Sequence, residues 1–491
     1  MFFGVLWIGM LWIGMMGVGG FPASTMMARA DQTQSDAGGS RPNVVVFLCD
    51  DLGYGDLGCY GHPHIRTPNL DRLAAGGWRM TQFYSAAPVC SPSRVGLLTG
   101  RSPNRAGVYD WIPPSKTDMA QSSPANRHRV HMRDDEVTIA DVLSDAGYQT
   151  AMVGKWHCNS QFNADAQPQP GDHGFDYWTA TQNNASPSHQ SPDNFVRNGK
   201  PIGKVDAFSC QFVVDEAISW LGDIDASRPF FLYLPFHEPH EPVASPEKLV
   251  ESYRSVAENE DQAHYYANVS NVDDAVGRLL RHLDQTGLRD DTLVVFTSDN
   301  GPETLLRYKR ANRSYGTPGE LRGMKLHTTD AGFRVAGIFS WPGRLNPATI
   351  DQPVSSLDLL PTFARLAGGE LPDRRLDGMA VPMDATKVAD MDRQHPLVWT
   401  YFNALNGRQV AMRMGDYKVL GLIRGVGKMP NLTADMKAKV ASAQLGEFEI
   451  YDVVRDIDES ENLFGRSDRS DELVDRLRRE YRSLLDDSPV W

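Results

Sequence analysis

Asn43-Val44-Val45-Val46-Phe47-Leu48 is an apolar run of strand length that ends abruptly in Cys49-Asp50-Asp51. From Val44 to Leu48 no polar residue interrupts it, so the strand has no face to offer water. Strands of this kind belong to the interior of a parallel sheet. The same form recurs at Thr292–Phe296, before Ser298-Asp299-Asn300-Gly301, and at Phe230–Phe236, before His237-Glu238-Pro239-His240. Tyr148–Val153 is a weaker strand leading into Gly154-Lys155-Trp156-His157. Helical stretches lie between them, at Thr138–Ala146, Phe212–Leu221 and Val269–Leu283. This alternation predicts an α/β fold with a doubly wound sheet and helices on both faces. Ligands of such sheets bind beyond the carboxyl ends of the strands. All four polar clusters fall at those ends, which predicts that they meet in one pocket.

The clusters suggest a chemistry. Asp50, Asp51, Asp299 and Asn300 are hard oxygen donors, and three gathered carboxylates repel one another unless a cation holds them. A divalent ion, calcium or magnesium, suits that donor set. Each pair alone is also ordinary turn chemistry. Two pairs, each after a buried strand, favour the metal. Lys155, His157, His240 and Lys325 supply positive charge and proton transfer to an anionic substrate. His237 and His240 compete for one role on residue type alone.

A second motif lies between these strands. Cys90-Ser91-Pro92-Ser93-Arg94 is followed by Leu98-Thr99-Gly100-Arg101. Background frequencies make that coincidence on the order of one in 10^5 for a chain this long. Pro92 fits the first turn of a helix, and Val95, Leu97 and Leu98 can anchor one. Position 90 would then sit at a helix N-terminus, a field suited to anions, with Arg94 one turn on. A buried cysteine before an ordinary helix is the plainer alternative.

The Cys90 stretch resembles the signature of the type I sulfatases. The likeness extends from Asn43 to about Leu463. It includes Asp50-Asp51-Leu52-Gly53, Thr67-Pro68-Asn69-Leu70-Asp71, Gly154-Lys155-Trp156-His157, Pro239-His240-Glu241-Pro242, Ser298-Asp299-Asn300-Gly301, Gly323-Met324-Lys325 and Glu461-Asn462-Leu463. The wording is most similar to the arylsulfatase A and N-acetylgalactosamine-6-sulfatase branch. One departure is Cys158-Asn159, where Leu-Gly is common. The resemblance implies an alkaline-phosphatase-like fold, with a large mixed, mostly parallel sheet and a smaller C-terminal antiparallel sheet. It implies that a sulfatase-maturing enzyme oxidises Cys90 to formylglycine, whose hydrated aldehyde attacks sulfur. Asp50, Asp51, Asp299, Asn300 and the modified Cys90 would hold the metal. Arg94, Lys155 and Lys325 would neutralise sulfate, and His240 and Lys325 would assist the leaving alcohol. His157 would take the proton from the second hydroxyl. His240, not His237, matches the family pattern, leaving His237 behind it or against substrate. Arg334 reads as structural.

The remaining features bound the reading. The chain has 491 residues and a formal charge of −13, which argues against a nucleic-acid partner. Residues 1–30 read as a signal peptide: Phe2–Val18 is uncharged and Ala28-Arg29-Ala30 has a cleavage-site form, although no basic residue precedes the apolar run. Export follows from that reading. The five cysteines include no CxxC, which excludes a cysteine zinc centre of the usual spacing. We assign 42–385 to the catalytic α/β domain and 386–491 to a C-terminal subdomain. In the latter, Leu397–Phe402, Gln409–Met414, Tyr417–Leu422 and Phe448–Val453 read as short strands, followed by a helix bearing Leu473, Leu477, Tyr481 and Leu484. The loop Asp172–Lys204, with Phe175, Tyr177, Trp178, Asn184 and His189, is expected to meet a sulfated sugar or aryl sulfate. So is Pro302–Arg322, with Arg307, Lys309, Arg310 and Arg313. Two other readings are a phosphodiesterase or phosphonate hydrolase of the same superfamily, and a binding protein for sulfated glycans.

Overall fold

A computed structural model describes residues 41–113, 131–304, 311–393, 395–427 and 434–490. The signal-peptide reading at 1–30 and Arg307, Lys309 and Arg310 lie outside them. The first half of the chain forms strands β1 (Asn43–Asp50), β2 (Trp78–Tyr84), β3 (Gln149–Lys155), β4 (Tyr177–Thr181), β5 (Val196–Arg197), β6 (Lys200–Pro201) and β7 (Phe230–Pro239). Then come β8 (Thr292–Ser298), β9 (Arg334–Ser340), β10 (Ala348–Ile350) and β11 (Val354–Ser355). The helices between and after them are α1 (Pro68–Ala75), α2 (Cys90–Thr99), α3 (Ile139–Asp145), α4 (Ser209–Asp223), α5 (Glu247–Glu251), α6 (Glu260–Gln285), α7 (Leu359–Ala367) and α8 (Ala385–Ala389).

The large sheet has the order β10-β2-β9-β8-β1-β7-β3-β4-β5-β6, with β11 also on β2. Its centre, β8-β1-β7-β3-β4, is parallel throughout. β9 runs antiparallel between β8 and β2, so the sheet is mixed and mostly parallel. Side-chain alternation sorts the central strands cleanly. Val44, Val46, Leu48, Met152, Tyr233 and Val295 enter one core, with α2, α3 and α7. Val45, Phe47, Val153, Leu232, Val294 and Phe296 enter the other, with α1, α4 and α6. Both faces are therefore covered, as an uninterrupted apolar strand requires.

The second sheet is antiparallel, β12 (Leu397–Thr400), β13 (Val410–Met414), β14 (Tyr417–Ile423) and β15 (Leu445–Asp452) in that order. Helix α9 (Ala434–Ser442) precedes β15, and α10 (Ser470–Asp486) buries Leu473, Leu477, Tyr481 and Leu484. Among the described residues, no helix is long and apolar enough to cross a membrane.

Several expectations need correction. β7 continues through His237 and Glu238 instead of ending at Phe236. Asp172–Lys204 is not one long loop: it contributes β4, β5 and β6, and Phe175 and Trp178 belong to the core. Tyr177 donates to Glu216 at 2.9 Å, and His189 is buried. None of the five cysteines is disulfide-bonded, a point on which the sequence made no prediction.

Candidate active site

The four strand ends do converge. β1 delivers Asp50, and its register with β7 shifts between Leu48 and Asp50. Asp51 then turns the chain with φ +67°, a left-handed conformation an aspartate tolerates better than most residues. Next door, β8 delivers Asp299 and Asn300. Ser298 Oγ accepts from Leu52 N at 3.0 Å and Asp299 Oδ1 from Asp51 N at 3.2 Å, so the two turns brace each other. The glycine of Asp50-Asp51-Leu52-Gly53 has a steric cause: a Cβ there would overlap the carbonyl oxygen of Thr317.

Asp56 holds that turn. Its carboxylate accepts from Gly53 N (2.7 Å), Thr317 N (2.8 Å) and Tyr265 Oη (2.6 Å), with no cation beside it among the described residues. Burial pushes its pKa from 3.8 up to about 6. A folded-state pKa above the unfolded one adds stability that is complete below pH 4 and lost as pH rises through 6. The shift corresponds to on the order of 3 kcal/mol. We expect Asp56→Asn to flatten the dependence of stability on pH between about 4 and 6, read from denaturant midpoints across that range. It should also lower stability, because its NH2 group would face a backbone N–H.

Cys90 is the first residue of α2, and every side chain of that helix is buried. The helix passes through the core and presents its N-terminus to the strand ends. Cys90 Sγ lies 3.3 Å from Asp50 Oδ1 and 3.9 Å from Asp51 Oδ1. Burial first, and the Asp50 charge second, push the thiol well above its ordinary pKa. At neutral pH it is a protonated thiol, and thus a poor nucleophile.

Three cations face three carboxylates. Arg94 Nε donates to Asp299 Oδ2 at 2.9 Å, while Nη1 donates to the Lys155 carbonyl at 2.9 Å. Lys155 Nζ bonds Asp50 Oδ2 and lies 3.4 Å from Asn184 Oδ1. Lys325 Nζ donates to Asp51 Oδ2 at 2.7 Å. Burial works to raise the Asp50 and Asp51 pKa values, but the cations outweigh it and hold both below the ordinary range. At Asp299 burial and Asp50 prevail, and the pKa rises to about 7.

The histidines divide. His240 Nε2 lies 3.6 Å from Asp51 Oδ2, and its Nδ1 meets the Glu241 carbonyl at 2.6 Å. Burial lowers its pKa to about 4 against the pull of Asp51. His157 Nε2 meets the Ile112 carbonyl at 3.0 Å, and its buried Nδ1 has no hydrogen-bond partner among the described residues. Burial, then Lys155 and Arg94, keep that ring neutral. His237 is buried with both ring nitrogens engaged, Nε2 on Thr181 Oγ1 and Nδ1 on Ser209 Oγ, both at 2.7 Å. Arg334 bonds the Thr81 carbonyl and Asp330, a structural position. Arg313 is engaged by Asp261 (3.0 Å) and the Val243 carbonyl (2.8 Å), so it is not a free anion contact.

The cluster is a candidate site for a divalent cation. Asp50, Asp51, Cys90 and His240 each place a donor atom within 4.8 Å of the others. Asn300 Nδ2 donates to Asp51 Oδ1 and the Gly301 carbonyl, which orients the amide and leaves its buried Oδ1 without a donor among the described residues. An orphaned amide oxygen beside carboxylates is what a calcium or magnesium site uses. Asn184 was expected on a substrate-facing loop. It also donates to the Glu241 carbonyl at 2.9 Å, bridging Lys155 to the His240 turn.

The Sulfatase family model matches residues 42–369. Arylsulfatase A of Homo sapiens is 36% identical over 453 residues, covering 86% of this chain and 83% of that protein. N-acetylgalactosamine-6-sulfatase of Rattus norvegicus is 34% identical over 405 residues, covering 77% and 71%. The crystal structure of Ps i-CgsB in complex with k-i-k-neocarrahexaose matches with a TM-score of 0.74 at 27% identity, covering 92% of this chain and 95% of that one. The architecture is alkaline-phosphatase-like, and neither the phosphoester nor the binding-protein reading is favoured beside these relatives. A buried Cys-x-Pro-x-Arg helix start ringed by acids, lysines and histidines, in a chain with these relatives, places the protein in the sulfatase family, as an enzyme that hydrolyses sulfate esters.

Proposed function

We propose that this sulfatase acts on a sulfated carbohydrate through a formylglycine made from Cys90 and one divalent cation, calcium ahead of magnesium. The observation that carries the reading is the state of Cys90: fully buried, beside Asp50, and held as a neutral thiol. Unmodified, it is a weak nucleophile. Oxidised to an aldehyde and hydrated, position 90 carries two hydroxyls, one to attack sulfur and one to expel sulfate. Asp50, Asp51, Asp299, Asn300 and residue 90 would hold the cation, which would supply activation of an attacking hydroxyl and neutralisation of sulfate charge.

The chain's own residues do the rest. Arg94 fixes Asp299 and the Lys155 carbonyl, which sets the distance between the metal ligands and the first lysine. Lys155 and Lys325 bring two ammonium groups to the rim of the acidic cluster, where they neutralise sulfate oxygens. His240, on the outer edge of the cluster and 12% exposed, is placed to assist the departing alcohol. The free Nδ1 of His157 is a proton acceptor for the second hydroxyl.

The glycan assignment rests on N-acetylgalactosamine-6-sulfatase and on the sugar-bound i-CgsB structure. Export, proposed from residues 1–30, would place the enzyme where sulfated polymers are met. The test is a panel of sulfated mono- and oligosaccharides beside small aryl sulfates, with the mass of the Cys90 peptide recorded on the same preparation. Carbohydrate turnover with an aldehyde at 90 is expected. Aryl-sulfate turnover alone would refute the glycan assignment, and a thiol at 90 in active enzyme would refute the nucleophile.

A further inference from the structure

Lys155 sits on a strand end. Lys325 does not: it rides on the segment from Arg322 to Phe333, whose regular structure is one short turn at Asp330–Gly332. Lys325 N donates to the Pro302 carbonyl at 2.9 Å, and Leu326 N to the Pro88 carbonyl at 2.8 Å. Leu326 itself is left-handed, with φ +66°, a conformation a leucine keeps only when its surroundings enforce it.

Much of the enforcement comes from the second sheet. Leu405 N donates to the Leu326 carbonyl at 3.0 Å, and Thr328 Oγ1 to the Arg408 carbonyl at 2.6 Å. At the far end of the segment Asp330 is fully buried, and its carboxylate accepts from Lys418 Nζ of β14 at 2.9 Å. Tyr84 Oη and Arg334 Nη1 add bonds at 3.1 and 3.2 Å. Asp330 N donates to Glu459 Oε2 at 2.7 Å, and Glu459 Oε1 lies 3.1 Å from Lys418. The Lys418 ammonium lies 4.5 Å from the centroid of Phe333, whose ring stacks on Trp399 at 4.0 Å and 3°.

A fully buried lysine is costly, and an apolar side chain would seal a β-sheet as well or better. What the ion pair adds is a fixed direction. The segment it fixes has no slack: a Cβ on Gly301 would overlap the Ala331 carbonyl oxygen, and Gly301 N donates to the Gly332 carbonyl at 3.0 Å. Gly301 directly follows Asp299 and Asn300.

We propose that Lys418 is a positioning residue of the sulfatase reaction: clamped on Asp330 and Phe333, it fixes the loop that delivers Lys325 to Asp51, and through Gly332 it steadies the strand end bearing Asp299 and Asn300. This rests on the reading of Lys325 as a sulfate-neutralising group. Lys418→Met and Glu459→Gln, each in wild-type and Lys325→Ala backgrounds, test it with an aryl sulfate and matured enzyme. Lys418→Met is expected to lower kcat about 10- to 100-fold with KM nearly unchanged. In the Lys325→Ala background the same change should lose most of its effect. Amide exchange across Lys325–Phe333 should accelerate in both single variants. Glu459→Gln keeps an acceptor for Asp330 N and carries the comparison if Lys418→Met does not fold. Wild-type kcat in the clamp variants, or equal losses in both backgrounds, overturns the proposal. A matured wild-type enzyme without sulfatase turnover would instead refute the reaction, and unchanged exchange at Lys325–Phe333 would then refute the clamp separately.

Discussion

Cys90→Ser is expected to abolish turnover, by at least ~10^4-fold in kcat, with the fold intact. Serine fits the first position of α2 as well as cysteine does, so the N-terminal field, Arg94 and the acidic cluster are retained. A serine hydroxyl can attack sulfur once. The ester it forms has no neighbouring hydroxyl to collapse and release sulfate, so the enzyme stops after a single event. Intact mass should show sulfate retained on residue 90 after exposure to substrate, and Cys90→Ala should show none. Steady turnover by Cys90→Ser would mean that the second hydroxyl is not needed.

The second large effect concerns the cation. Chelation is expected to reduce kcat by ~10^3-fold or more, the scale of several kcal/mol of charge stabilisation. Added calcium or magnesium should restore it, and the one that does so at lower concentration identifies the physiological ion. Asp51→Asn should match the chelated enzyme and no longer respond. Asp51 is the informative ligand because it ties the site together. Lys325, Asn300 and His240 all approach its carboxylate. Asparagine preserves an acceptor for Asn300 while removing the charge. Thermal midpoints supply a readout independent of activity: binding to the folded state alone raises the wild-type midpoint with ion concentration. That rise should be absent in Asp51→Asn.

The parallel centre of the sheet was legible because its strands are apolar on both faces, and burial on both faces leaves few alternatives. β2 was not: Arg79, Thr81 and Gln82 break the run Trp78–Tyr84, although the strand lies inside the sheet order between β10 and β9. β4 was masked in the same way by the glycine, aspartate and histidine before it. The strand ends foretold which site residues would meet, since residue type and topology coincide there. They did not foretell His237. Its ring is buried by Thr181 and Ser209, hydroxyls from two other elements, and no local pattern announces such a pairing. Lys418 shows the same limit from the other side. A lysine in an exposed-looking antiparallel strand reads as a solvent residue until Asp330 and Glu459 are found against it.

Cys90 has no exposed surface in the folded protein, and its neighbour Val89 is packed under Leu326, Tyr401 and Ala404. Two of those covering residues, Tyr401 and Ala404, are made more than 300 residues after Cys90. Under the proposed formylglycine mechanism, a maturing enzyme that must grip the Cys90 segment would work against a clock, with access before the strands flanking Tyr401 and Ala404 dock and none afterwards. Slowing that docking would raise the yield of active molecules, and a chain that folds too quickly would be stable, correctly shaped and inert.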